Sequence, residues 1–187
     1  MYKIIAIVFF LYLDNNVFSQ NNNDSILYWN DVRRLRCTDF KGVVPEAATY
    51  FARSAIRIST KGYWEEGMPD YKIINVFYPY KAWEKDTLSN NLLQHEQVHF
   101  DIAEIFARKI RKEITGLRRD GAKEPSIYKQ HINKLFDEYN AKDIEYDKET
   151  QHGLVDGKQQ EWNEKIAKEL EELKEYAVDY QEYLEDK

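Results

Sequence analysis

The chain contains a single cysteine, Cys37, so no disulfide can form within it and the fold must stand on its core and on any bound metal. That residue reads best as a small buried apolar side chain. Long hydrophobic runs are equally scarce. The one unbroken run, Ile4 to Leu13, is ten residues long, too short to span a bilayer. With Lys3 before it and Val17-Phe18-Ser19 after it, the run reads as a secretory signal over residues 1–19. No cysteine follows it closely, which argues against a lipid anchor. Residues 20–26 then form a polar, disordered start to the mature chain, and a secreted or periplasmic location is expected.

Charge of one sign is missing from most of the chain. Residues 156–187 hold eleven acids and five bases, which accounts for the whole net charge of -6; residues 1–155 are balanced. The basic clusters Arg33-Arg34, Arg108 to Lys112 and Arg118-Arg119 are interleaved with apolar or acidic neighbours, so nucleic acid is not an expected partner. There are no internal repeats, and 187 residues suffice for one domain with a substantial core. The expected metallohydrolase domain covers 27–155.

Histidines number only four, and two of them stand in His95-Glu96-Gln97-Val98-His99. Two histidines four apart on a helix project from one face and can bind one Zn²⁺ through neutral imidazoles. Glu96 then lies beside the metal, where a carboxylate serves as general base to water and as acid to a leaving amine. Leu92, His95, His99, Ile102, Phe106 and Ile110 share helical spacing, which turns both histidines inward. Ser89 is the expected N-cap, and the helix is expected to run to about Ile114, before Gly116. Glu104, five residues past His99, faces roughly 140° away and is expected to pair with Arg108 on the solvent side.

Two strands precede this helix. Ala55 to Thr60 alternates as a half-buried strand should, and Tyr71 to Tyr78 is rich in branched and aromatic residues. Gly62, Gly67 and Pro69 mark the turn between them. The second strand is a candidate exposed edge for pairing with an extended substrate. Trp29, Leu35 and Phe40 are expected anchors of the segment before the sheet. After Gly121, a helix begins at Pro125, and Tyr146 to Gly153 interrupts it. A final amphipathic helix from Asp156 carries Trp162, Ile166, Leu170, Leu173, Ala177, Tyr180 and Leu184 on one stripe. It reads as a packing helix, with a partner-binding coiled coil as the alternative. The fold class is α+β: a small antiparallel sheet on a long zincin-type helix, followed by further helices.

Catalytic zinc ordinarily takes three protein ligands. The third is sought at His152, where Gly153 leaves the backbone free to aim the imidazole, ahead of His131, with Asp147 and Glu149 as further options. Thr150 or Glu149 is a candidate to orient His152, and Tyr146 a candidate to stabilise a developing oxyanion.

Trp29 with Asp39-Phe40-x-Gly42, the run Leu92-Leu93-x-His95-Glu96-Gln97-x-His99-Phe100-Asp101-Ile102-Ala103-Glu104, and Tyr146-Asp147-x-Glu149-Thr150-x-His152-Gly153 resemble a bacterial family of uncharacterised secreted proteins described as predicted secreted zinc-dependent proteases. The resemblance covers about Leu27 to Trp162. It implies metal ligands at His95 and His99, a catalytic Glu96, and supports His152 as third ligand. The expectation is a secreted zinc metallopeptidase acting on a peptide or protein, without a membrane anchor once the signal is removed. A non-catalytic zinc-binding structural or interaction protein is the alternative.

Overall fold

In the computed structural model, residues 26–49, 51–85 and 89–185 are described. The expected signal peptide and the residues up to 25 lie outside them. Helix α1, Asn90–Arg119, is the element on which the others pack. Ser89 caps it, its side chain accepting from Leu92 N at 3.3 Å. The helix passes through Gly116 instead of stopping before it. A mid-helix glycine costs about 1 kcal/mol, which the continuing turn offsets. Leu117 packs on the core, while Arg118 donates to Pro69 O at 3.1 Å and pairs with Asp70 at 3.3 Å.

Among the described residues, five strands precede α1: β1 (Leu27–Tyr28), β2 (Ala52–Arg53), β3 (Ile56–Glu65), β4 (Met68–Phe77) and β5 (Trp83–Glu84). β3 and β4 form an antiparallel hairpin in register from Ile56↔Phe77 to Glu65↔Met68. Its turn is Glu66-Gly67, both at positive φ (52° and 76°), the geometry of a tight two-residue hairpin loop. Gly62 and Pro69 lie within the strands and not in the turn, so the hairpin is longer than the alternation alone suggested.

The sheet order is β1–β4–β3, so β4 is the central strand. This overturns the expectation of a substrate-binding edge near Ile73 to Tyr78. β1 pairs with Val76 and Phe77, and Trp29 N donates to Asn75 O at 3.2 Å. Below that, tyrosines from the end of the chain take over. Tyr180 Oη accepts from Asn75 N at 3.1 Å and Tyr183 Oη from Ile73 N at 2.9 Å. Ile73, Ile74, Val76 and Phe77 are fully buried, as a strand covered on both faces requires.

Helix α2 spans Pro125–Thr150 and runs antiparallel to α1, since Glu113 meets His131, His99 meets Asp143 and His95 meets Asp147. The interruption expected at Tyr146 does not occur there. The helix continues about one turn further, to Thr150, because Asp143, Tyr146, Asp147 and Thr150 form its inward face at helical spacing. Their polarity hides the period from a hydrophobic reading.

Helix α3, Asp156–Glu172, buries Trp162 and Ile166. The single long terminal helix expected from the stripe is broken at Leu173 by a 3₁₀ turn, Lys174–Tyr176, before the short α4, Tyr180–Glu185. The break lets Tyr180 and Tyr183 reach β4, with Tyr180 stacked on Tyr28 at 5.7 Å. Trp29, Leu35 and Phe40 are buried as expected; Cys37 is half-buried against the core, with a free thiol.

Glu104 does pair with Arg108, at 3.1 Å, but it faces the interior and is 1% exposed. The sheet, α2, α3 and the terminal segment surround α1, leaving no solvent side at this depth. Arg111 adds a second guanidinium at 3.2 Å, and Tyr180 Oη donates to Glu104 Oε2 at 2.7 Å. Replacing Glu104 with alanine leaves two buried cations unpaired, so a loss of about 3–5 kcal/mol is expected in urea unfolding. A loss below about 1 kcal/mol would show that the network adds nothing to stability.

Candidate metal centre

His95 and His99 project from α1 toward the last two turns of α2. Their side chains are 3% and 12% exposed. Each has one ring nitrogen committed. His99 Nδ1 lies 2.6 Å from Asp143 Oδ1. His95 Nδ1 lies 3.3 Å from Gln159 Oε1, an oxygen that also accepts from Tyr146 Oη at 2.8 Å, while Gln159 Nε2 donates to Asn163 at 2.9 Å. The orientation of Gln159 makes its oxygen an acceptor, so His95 Nδ1 carries the hydrogen. With both Nδ1–H groups donated away, both Nε2 atoms present lone pairs whenever the two rings are neutral.

Those two Nε2 atoms face each other at 3.1 Å. Asp147 Oδ1 lies 3.1 Å from each of them. With both imidazoles neutral, three acceptors converge with no hydrogen between them, a repulsion that either a proton on His99 or a metal cation in their midst relieves. Ligands at about 2.0–2.1 Å in a tetrahedron stand roughly 3.3 Å apart, close to the spacing found. His152 Nδ1 is 3.2 Å from the same Asp147 oxygen. His95, Asp147 and His152 together offer donor atoms within 4.8 Å of one another, a group that can hold a metal ion. The residues fit a borderline divalent cation bound by nitrogen and carboxylate oxygen.

The backbone that brings His152 round is left-handed for three residues: Gln151 at φ 48°, His152 at 58° and Gly153 at 79°. It ends α2 and folds the chain back, with His152 N on Asp147 O at 3.1 Å and Val155 N on Thr150 O at 2.9 Å. Gly153 is needed twice over. A Cβ there would adopt a disfavoured φ and would stand 2.9 Å from His95 Cβ.

Electrostatics follow the same geometry. Burial works against the charge of Asp147, yet hydrogen bonds from His152, His95 and His99 hold it far below the usual carboxylate range. Burial also opposes a charge on His99, but Asp143 and Asp147 outweigh it and raise its pKa well above that of a free imidazole. The hydrogen bond to Asp147 raises His152 as well.

Among the other expected site residues, Glu96 is buried beside the cluster, its Oε2 accepting from Ser54 N at 3.0 Å. Tyr146 is fully buried, and burial drives its pKa far above that of a free phenol. Its ring stacks on His95 at 4.7 Å, and its hydroxyl is held by Gln159 and lies 3.2 Å from the carbonyl of His95. That hydroxyl braces His95 from behind and is not directed at an oxyanion. Thr150 donates to Tyr146 O at 2.8 Å and lies 3.5 Å from His95 Nδ1, so it supports His95 and not His152. Glu149 accepts from Trp162 Nε1 at 2.8 Å and ties α2 to α3, which removes it both as ligand and as the residue orienting His152. His131 pairs with Glu113 at 2.6 Å on a half-exposed face sixteen residues earlier on α2, roughly 24 Å along the helix, and is no part of the site.

Sequence reasoning missed Asp143 and Gln159. Asp143 was detectable as the residue one turn before Asp147 on a polar helical stripe. Gln159 carried no local signal, since only the packing of α3 brings it to His95.

Fold and site define an α+β protein with a histidine–carboxylate centre able to take a metal ion. The family described as "Bacterial protein of unknown function (DUF922)" matches residues 80–153, the span from just before β5 to Gly153 that carries all four donor residues, Glu96 and Asp143. No curated protein and no solved structure matches the chain.

Two outcomes are expected. Gly153→Ala should cost at least about 1 kcal/mol for the left-handed alanine and weaken metal binding by displacing His95, read by urea unfolding and metal titration; an unchanged affinity would show that the close approach is immaterial. Metal-free protein should lose thermal stability as pH rises. His99 has a folded pKa above its unfolded value of about 6.5, so its contribution is complete below that pH and is lost as pH climbs through the raised value. Asp147 has a depressed folded pKa, so its contribution is present above about pH 4 and is lost below. A melting temperature that increases steadily from pH 6 to 9 without metal would contradict this.

Proposed function

We propose that the protein is a secreted zinc metallopeptidase acting on peptide or protein substrates. The observation that carries this reading is the facing pair of Nε2 lone pairs on His95 and His99, joined by a carboxylate, with Glu96 buried next to them. Nitrogen and carboxylate donors at this spacing suit zinc. Zinc there would supply Lewis acidity toward a scissile carbonyl and toward a water. His95 and His99 would hold it through Nε2, the tautomer that Gln159 and Asp143 favour by accepting from Nδ1. The C-terminal end of α2 offers Asp147 and His152. Glu96 takes the proton from the attacking water and passes it to the leaving amine, while the N–H of Ser54 keeps its carboxylate oriented. Burial of His95 and Tyr146 keeps bulk water from the inner side of the centre.

The convergence of four donors also favours a second reading, in which the metal only locks α1 to α2 and no position is left for substrate.

Purified protein is expected to contain one zinc per chain and to cleave members of a peptide library. Glu96→Gln should keep the zinc and lose about 100-fold or more in turnover, the scale of a general base. Undiminished cleavage in that variant would remove Glu96 from the mechanism, and absence of cleavage in the zinc-loaded wild type would leave the locking role.

A further inference from the structure

The four donors are not equivalent. His95 Nε2, His99 Nε2 and Asp147 Oδ1 form a triangle with all three sides 3.1 Å, one face of a tetrahedron around a small cation. His152 stands outside it. Its short contact to the group runs from Nδ1 to Asp147 Oδ1, at 3.2 Å, which is the geometry of a nitrogen donating its hydrogen to a carboxylate.

The supports differ as well. Asp147 belongs to the last turns of α2, flanked by Asp143, which grips His99, and Tyr146, which stacks on His95. One rigid helical segment therefore fixes both imidazoles and the carboxylate together, the kind of support a precise ligand set needs. His152 lies beyond the helix end on left-handed backbone, with its side chain 53% exposed against 20% for Asp147.

We propose that His95, His99 and Asp147 are the three permanent metal ligands. His152 is a positioning residue that holds Asp147 by its Oδ1 and leaves the fourth coordination position open. The inference rests on the metal-binding part of the reading above and is independent of which bond is cut. It places His152 at the solvent side of the centre, where an incoming ligand passes it.

Cobalt(II) in place of zinc tests this through its visible spectrum. The wild type should give a low-coordinate spectrum that azide perturbs, because a position is open. His152→Ala should keep the band positions and lose about 10–100-fold in affinity, the range for a partner acting through a ligand. His152→Gln, whose amide can still donate to Asp147, should recover most of that loss. Asp147→Ala should abolish stoichiometric binding. Urea midpoints of the metal-free variants separate ligand loss from misfolding. Shifted bands in His152→Ala, or stoichiometric binding with unchanged bands in Asp147→Ala, overturn the assignment. A wild type that binds cobalt as described but cleaves no peptide overturns only the peptidase; one that binds no metal overturns both.

Discussion

The convergence of two imidazole nitrogens on one carboxylate oxygen is the constraint around which this molecule is built. With both imidazoles neutral the three hold no hydrogen to share, so a proton on His99 or a metal ion must stand among them. Such an arrangement persists only if the surrounding structure over-determines it. Asp143 and Gln159 fix the imidazole tautomers, Tyr146 lies flat against one ring, and Gly153 clears the space behind it. Helices α1, α2 and α3 each contribute one part of that grip. The packing of the three helices and the chemistry of the centre are therefore a single problem.

The polar letters of the α1 motif divide their work in a similar way. His95, Glu96 and His99 face the centre. Gln97 and Asp101 face elsewhere: Leu35 N donates to Gln97 at 2.6 Å, and Asp101 receives Trp29 at 2.8 Å and Arg34 at 2.7 Å. These bonds tie the segment before the sheet to α1, and burial raises the pKa of Asp101 despite Arg34 beside it. Glu104 then secures the end of the chain through Arg111 and Tyr180. A motif that reads in sequence as one catalytic signature is, in three dimensions, a helix with polar anchors on several faces.

That division explains what was legible beforehand. Helix α1 with its paired histidines, its N-cap at Ser89, the β3–β4 pair and the start of α2 at Pro125 all follow from local patterns that tertiary packing leaves intact. The inward direction of His95 and His99 was readable from the apolar residues at their spacing. What local patterns could not supply was the state of residues whose polarity is satisfied inside. The end of α2 escapes a hydrophobic reading because its buried face is Asp143, Tyr146, Asp147 and Thr150. Glu104 reads as solvent-facing because an i,i+4 pair with Arg108 usually lies there. β4 reads as an edge because two of its neighbours, a two-residue strand and a pair of tyrosine hydroxyls, leave no periodic trace. Thr150 and Glu149 are the residues the sequence offers to orient His152, and the left-handed turn brings it instead to Asp147, which the sequence offers only as an alternative ligand.

The tyrosine caps on β4 tie the end of the described chain to its centre. Tyr180 meets Asn75 across 105 residues of sequence and Glu104 across 76. Closing loops of that length carries an entropic cost that the native contacts must offset. Beyond β1, the margin of β4 is thus sealed by side chains and not by a strand. Without those two hydroxyls the amides of Ile73 and Asn75 would form an open edge of the kind another strand can pair with.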